Sequence, residues 1–361
     1  MDDKEKKDLR GANPVNTKLE GAYFVEANLE KGNFIGANLK GANFKGANLE
    51  KARFQGAELQ GANFEKANLK GAELQMATLS GANLQEANLQ EANLKRTDLI
   101  KANLQRANLQ EADFNGADLQ EADLQEANFN GADLQEANLE KANLQGTNLK
   151  ETNLKRADLE KVNLQGAQIQ GADLEEANLQ GAQIQGANLQ EANLQRTDLR
   201  KAKLEGADLG KANLEKARLK GANLRKAKLE ETNLEETKLK EAILQGASLI
   251  KANLIRAKLQ QANLKGANLD GANLLKAKLE DANLQRANLN GANFNGANLQ
   301  RVNLRKANLH GAKFKEANLE GAQHLLVDQL SNVKTLYNAK LDEKLSIKLK
   351  EKYPALFEAY D

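Results

Sequence analysis

Every fifth residue from Leu19 to Leu319 is Leu, Phe or Ile, in a register that never slips across sixty-one consecutive pentads. A repeat that dominates a chain decides its architecture before any local propensity does. With the large apolar residue at position i, position i−2 is Ala almost throughout (Ala27, Ala37, Ala87, Ala192), with Thr97, Val162 and Gly32 among the exceptions. Position i−1 is Asn in 35 pentads and Asp in 9, while i+1 and i+2 carry Gln, Glu, Lys, Arg or Gly. Of the 27 glycines, 25 fall at i+2, which marks that position as a corner.

Period five excludes both ordinary secondary structures. On an α-helix, at about 100° per residue, successive centres rotate by roughly 140° and leave no apolar stripe. On a continuous strand an odd period sends alternate centres to opposite faces. A turn must therefore reset the chain direction once per pentad. Positions i−2 and i share the inner face of a short extended segment, i−1 points outward, and i+1 with i+2 make the corner, where Gly supplies a positive φ.

Phenylalanine placement counts the pentads in one turn of the coil. Four per turn puts Phe24, Phe44 and Phe64 on one wall and Phe34, Phe54, Phe114, Phe294 and Phe314 on the wall opposite, leaving only Phe129 elsewhere. Three per turn scatters them. A contrary sign is Ala-Gln-Ile-Gln-Gly, which recurs fifteen residues apart around Ile169 and Ile184 and reads as a duplication.

The unit Ala-(Asn/Asp)-Leu-X-X resembles the motif of the pentapeptide-repeat family, and Ala87-Asn88-Leu89-Gln90-Glu91 matches it unchanged. The resemblance covers residues 12 to 322. It implies an all-β solenoid, a right-handed quadrilateral β-helix with four pentapeptides per coil and about 15 coils, in agreement with the phenylalanine count. At a strand spacing of ~4.8 Å such a stack would be a rod on the order of 70 Å long. Scarce aromatics (4%), no Trp and two Pro suit a narrow interior and a continuous ladder.

The ends depart from the repeat. Residues 1–11 read as a charged, frayed N-terminus, with Leu9 and Pro14 already at centre positions of irregular pentads; 12–324 form the repeat β-helix; and 325–361 form a small α-helical cap. In that cap Leu326, Leu330, Val333 and Tyr337 follow helical spacing, and Asp342 can N-cap a second helix carrying Leu345 and Leu349 that ends near Tyr353-Pro354. This tail also resembles those of cyanobacterial family members. Without Cys there is no disulfide or thiolate chemistry. With no apolar signal core and no membrane-length apolar run, the expected compartment is the cytoplasm.

Little in the chain suggests catalysis. Flat walls offer no concave site, and the only histidines, His310 and His324, have no second ligand at metal spacing. No catalytic residue, cofactor or metal is expected. The many Asn at i−1 read as stacked amides bonded from coil to coil.

Outward charge is what the repeat does not dictate. Net charge is +2, yet residues 107 to 140 contain no Lys or Arg and nine acids, among them Asp113, Asp118, Asp123 and Asp133. Residues 196 to 228 hold eleven basic residues against four acids. Sorted by twenties, the column Asp98, Asp118, Asp158, Asp198 switches to Arg218, Lys238, Lys258 and Lys278 in four successive coils. Stacked like charges repel, so stability would not choose this ladder. Arg200, Lys201, Lys220 and Lys240 extend it; Ile243, Ile250, Ile255 and Leu275 fall at positions expected to face solvent. A cluster of this kind suits a partner site, the alternative being drift on a tolerant surface.

The expected function is that of a non-enzymatic scaffold or regulator acting through protein-protein interaction on its outer walls, with an acidic protein partner at the ladder. Some members of the family that the chain resembles mimic duplex DNA and bind type II topoisomerases, the alternative reading. With 52 basic and 50 acidic residues, only the band from 107 to 140 could serve for that. Direct nucleic-acid binding lacks interleaved aromatics for base stacking. The resemblance also implies homodimers through a terminal face.

Overall fold

The computed structural model describes residues 7–359. The chain divides into two compact units, Met1–Gln183 and Ile184–Asp361.

In the first unit each i−1 residue pairs in parallel with the residue twenty positions on, as in Asn28↔Asn48 and Asn48↔Asn68, so a coil closes after four pentads. Three backbone bonds join each pentad to the next coil. Leu29 N–H donates to Asn48 O (2.7 Å), Asn48 N–H to Ala27 O (2.9 Å), and Lys31 N–H to Glu50 O (2.8 Å). Between pentads a β-turn closes with a bond such as Ala47 N–H to Phe44 O, 2.9 Å. Its third residue is left-handed whether glycine or not, as in Gly46 (φ 65°) and Lys51 (φ 56°). Glycine was the residue expected to supply this φ, yet Lys, Glu and Arg adopt it throughout. Each such residue costs about 1–2 kcal/mol, which the turn bond and the coil-to-coil bond at the corner offset.

The Ala and Leu positions fill the interior, at 0–1% exposure from Ala27 onward in this unit. The phenylalanines form two facing columns. Phe24–Phe44 and Phe44–Phe64 stack at 5.0 and 4.8 Å, Phe34–Phe54 stack at 4.9 Å, and Phe34 meets Phe44 edge-on at 6.0 Å. Gly32 stands where Ala is usual because a Cβ there would lie 2.7 Å from the Phe34 ring. Pairing begins at Asp8, which bridges to Asn28, so the frayed segment expected to run to residue 11 is already part of the first coil there; residues 1–6 lie outside the described residues.

Asn at i−1 has two roles. Its Oδ1 accepts the N–H two residues on, as from Lys40 to Asn38 (3.2 Å), and its Nδ2 donates to the amide one coil back. The series Asn48→Asn28, Asn68→Asn48 and Asn88→Asn68 runs at 3.1 Å per step. Asp keeps the first bond and can accept the second, as from Asn138 to Asp118 (3.1 Å), which explains why both residues serve.

The second unit repeats this coil and ends in a cap of α1 (Val327–Leu330), α2 (Glu343–Lys352) and a 3-10 turn (Pro354–Phe357). The helical spacing that predicted one helix through Val333 and Tyr337 is overruled. Instead, two further pentads centred on Leu336 and Leu341 follow, displaced by two residues, with Thr335 pairing Lys313 and Lys340 pairing Asn318. Exposed backbone on the last coil needs partners, and Phe314 N–H to Thr335 O (3.0 Å) and Leu319 N–H to Lys340 O (2.8 Å) supply them. Asp342 does stand at the N-cap of α2, but its carboxylate accepts the Gly321 N–H (2.9 Å) and ties the helix start to a corner of the coil. Leu330, Leu336 and Leu349 are fully buried beneath the cap. No helix among the described residues is long and apolar enough to cross a membrane.

Candidate docking wall

In the second unit the column Asp198, Arg218, Lys238, Lys258, Lys278, Asn298 is a set of direct parallel bridges, each rung pairing with the next. All four basic rungs are exposed. Leu219, Leu239 and Leu259 hold them in place from behind, each buried and donating its N–H to the carbonyl of the rung above at 2.7–2.9 Å. A basic side chain carries no acceptor, so these rungs lose the bond that Asn or Asp makes to the N–H two residues on. That bond is present just before the ladder, from Arg200 N–H to Asp198 (3.2 Å), and just after it, from Gln300 N–H to Asn298 (3.2 Å).

Asp198 anchors one end of the ladder. Arg200 reaches it at 2.6 Å and Arg218 at 3.3 Å. Burial alone would raise this carboxyl, but hydrogen bonds from the Arg200 side chain and backbone, with the charge of Arg218, outweigh it and hold it below the usual 3.8. Hydrogen bonding to Asp198, against some desolvation, correspondingly raises Arg200. Lys220 and Lys240 share Glu241 at 3.9 and 3.6 Å, and Arg256 meets Glu236 at 3.3 Å. Among the described residues Lys238, Lys258 and Lys278 have no carboxylate within ion-pair distance. Elsewhere cations are commonly matched across coils, as in Lys45–Glu65 (2.9 Å), Lys155–Glu175 (3.1 Å) and Arg301–Asp281 (2.7 Å).

Two grooves flank the ladder. One, of about 640 Å³, is lined by Arg200, Arg218, Lys220, Lys238, Lys240 and Lys258, with Glu280 and Asp281 toward the far end. The other, of about 630 Å³, is lined by Lys216, Lys238, Arg256, Lys258, Lys276 and Lys278, with Glu236 as its one acid. Lys238 and Lys258 border both, and neither groove has an aromatic lining residue.

The aliphatic residues predicted to flank the ladder are half-buried rather than open to solvent. Ile255 and Leu275 stack one coil apart at the edge of the adjoining wall, next to the corner residues Arg256 and Lys276, and the Arg256 N–H donates to Leu275 O at 2.9 Å. Ile250 belongs to a corner one wall further round, and Ile243 pairs with Asn223 and Asn263 on the wall that follows the ladder. Neither groove is lined by any of them.

The four candidate acidic residues of the first unit, Asp113, Asp118, Asp123 and Asp133, are spread over three walls. Asp113 stacks on Asp133, whereas Asp118 stacks on Asp98 and Asp123 on Asn103. Each is engaged: Asp113 by Lys95 (2.8 Å), Asp118 and Asp133 by the amides of Asn138 (3.1 Å) and Asn153 (2.8 Å), and Asp123 by Gln105 (2.6 Å). His310 and His324 are both exposed, and no group of three or more metal-ligating side chains occurs among the described residues.

The family described as pentapeptide repeats (8 copies) matches residues 8–46, 47–85, 77–116, 102–140, 112–150, 137–175, 177–215, 217–254, 247–286 and 282–321. Among solved structures, HetL, a pentapeptide repeat protein involved in heterocyst differentiation regulation from the cyanobacterium Nostoc sp. strain PCC 7120, is 38% identical over 63% of this chain and 89% of its own, with a TM-score of 0.26. A pentapeptide repeat protein from the Arabidopsis thaliana thylakoid lumen is 32% identical over 33% of this chain and 77% of its own (TM-score 0.24). QnrB1, a plasmid-mediated fluoroquinolone resistance protein, is 16% identical over 52% and 90% (TM-score 0.30). The comparison with curated proteins finds no match.

Proposed function

The chain belongs to the pentapeptide-repeat family, and on that premise we propose that it is a non-enzymatic scaffold or regulator that acts through protein-protein interaction. Its docking surface is the wall bearing Arg218, Lys238, Lys258 and Lys278, and its partner presents an acidic face. One observation carries this reading: three successive lysine rungs without a carboxylate partner among the described residues, at a position where the repeat supplies Asn or Asp in most pentads. Each departure gives up a hydrogen bond of about 0.5–1.5 kcal/mol and adds like-charge repulsion of roughly 0.2–1 kcal/mol. A partner's carboxylates would offset both losses. Ile255 and Leu275, half-buried beside the corner cations, would add apolar contact at the rim; Ile250 lies too far round the coil to join them.

The test is affinity capture from the source organism with the wild-type chain and with a variant carrying Asn at all four rungs. A specific acidic partner should be retained by the wild type, and less of it, with weaker salt dependence, by the variant. Undiminished capture by a folded variant would remove this wall as the docking surface.

A further inference from the structure

We infer that the partner segment that docks on this wall is an acidic α-helix lying along the ladder, with one carboxylate on each basic rung. The inference rests on the reading of the wall just given and adds the shape of its occupant.

Spacing decides between shapes. Rungs on successive coils are separated by the strand-to-strand distance of ~4.8 Å, so four rungs stand at ~0, 4.8, 9.6 and 14.4 Å. On an α-helix, residues i, i+3, i+7 and i+10 share one face and rise by ~0, 4.5, 10.5 and 15 Å. No helix residue is out of step with its own rung by more than about 1 Å, an offset that flexible lysine side chains absorb. An extended strand in the same direction repeats a face every ~6.7 Å and reaches ~20 Å after three steps, more than a rung out of phase.

Charge and surroundings narrow the occupant further. Lys238, Lys258 and Lys278 have no carboxylate of their own within ion-pair distance among the described residues, so they are available to a partner's. The two flanking grooves place further cations, Lys220 and Lys240 on one side and Lys216 and Lys276 on the other, where the shoulders of such a helix would lie. Single-stranded nucleic acid is disfavoured because neither groove offers an aromatic side chain for a base to stack on. A second copy of this chain would match the rung spacing, but its stacked carboxylates come in pairs such as Asp113 and Asp133, which already hold Lys95 and Asn153.

Two labelled peptides of roughly 18 residues, long enough to hold a helix, test this with the full chain. Both have an Ala/Gln background and four Glu. In one the Glu stand at i, i+3, i+7 and i+10, and in the other at i, i+2, i+4 and i+6, so net charge is equal. Fluorescence anisotropy at low salt should give saturable binding of the first, a gain of helical circular dichroism on binding, and an affinity about tenfold above that of the second. The Arg218→Asn, Lys238→Asn, Lys258→Asn, Lys278→Asn variant should bind the first peptide about tenfold more weakly while keeping its own β spectrum. Equal affinity for the two peptides would overturn the helix, as would equal binding by wild type and variant. Self-association of the wild type in sedimentation, abolished in the variant, would make a second copy the occupant and likewise overturn it. The readings fail separately: capture of the natural partner that depends on the ladder, without preference between the peptides, sinks the helix and leaves the docking wall standing.

Discussion

Lys238 and Lys258 are paired backbone to backbone on successive coils of the second unit, with Leu239 N–H donating to Lys258 O at 2.8 Å, and neither ammonium has a carboxylate within ion-pair distance among the described residues. The backbone thus holds together two charges that repel, and both stay exposed.

Replacing Lys238 and Lys258 with Asn should leave the fold intact and raise its stability by about 1–3 kcal/mol, since each Asn restores the bond to the N–H of Lys240 or Gln260 and removes a repulsion. The urea midpoint would move upward, and the gain would shrink with added salt as screening removes the repulsive part. A lowered midpoint would mean that the lysines contribute packing along the wall.

Asp198 gives a pH dependence with a definite sign. Its carboxyl is held below 3.8 in the folded chain, so the stability it adds is present above the unfolded value and is lost as pH falls through the folded one. Asp198→Asn should cost about 1 kcal/mol near neutral pH, a figure discounted for partial solvent screening of Arg200 and Arg218. At a pH below that lowered value, where the carboxyl is protonated in both states, the variant and the wild type should unfold at similar urea concentrations.

Phe44 touches four other rings, stacking on Phe24 and Phe64 and meeting Phe34 and Phe54 edge-on. Phe44→Ala should cost about 3–5 kcal/mol locally. Because a coil is held chiefly by its neighbours, hydrogen exchange should lose protection around residues 22–66 and stay unchanged in the second unit.

Supercoiling by gyrase should be unaffected by stoichiometric amounts of this protein, with or without a quinolone. A mimic of duplex DNA needs continuous negative potential, whereas Asp113, Asp118 and Asp123 lie on three different walls and are engaged by Lys95, Asn138 and Gln105. Strong inhibition that disappears on neutralising Asp113, Asp118, Asp123 and Asp133 would reverse the ranking of the two functions.

The coil was legible because a core pattern with one large residue per pentad leaves few geometries open, and Phe24, Phe44 and Phe64 report the closure directly. The pentads at Leu336 and Leu341 escaped because a two-residue shift after His324 breaks the register while Val333 and Tyr337 imitate helical spacing. Their signal was present in Thr335-Leu336-Tyr337-Asn338-Ala339-Lys340-Leu341, where Thr335 stands in for Asn and its hydroxyl accepts the Tyr337 N–H at 3.1 Å. The ladder could be read by sorting positions in twenties. That its three lysine rungs lack acidic partners among the described residues could not, since ion pairing here depends on side chains reaching across coils. Ile250 was grouped with Ile255 by nearness in sequence, although five residues on this coil amount to a full wall.

Closure at twenty residues, built from interchangeable fives, gives the surface a reading frame that the interior lacks. Loss of one pentad, such as residues 262–266, would leave Ala and Leu facing inward everywhere and the hydrogen-bond ladder formally complete. Every later outward residue would nonetheless fall back by one wall. Asn283 would take the rung above Lys258, and Lys278 would move onto the column of Asn253. Loss of a whole coil would instead shorten the ladder and leave its remaining rungs aligned. Insertions and deletions in this chain therefore fall into two kinds that the core tolerates alike: multiples of twenty preserve the outward pattern, and other multiples of five rewrite it.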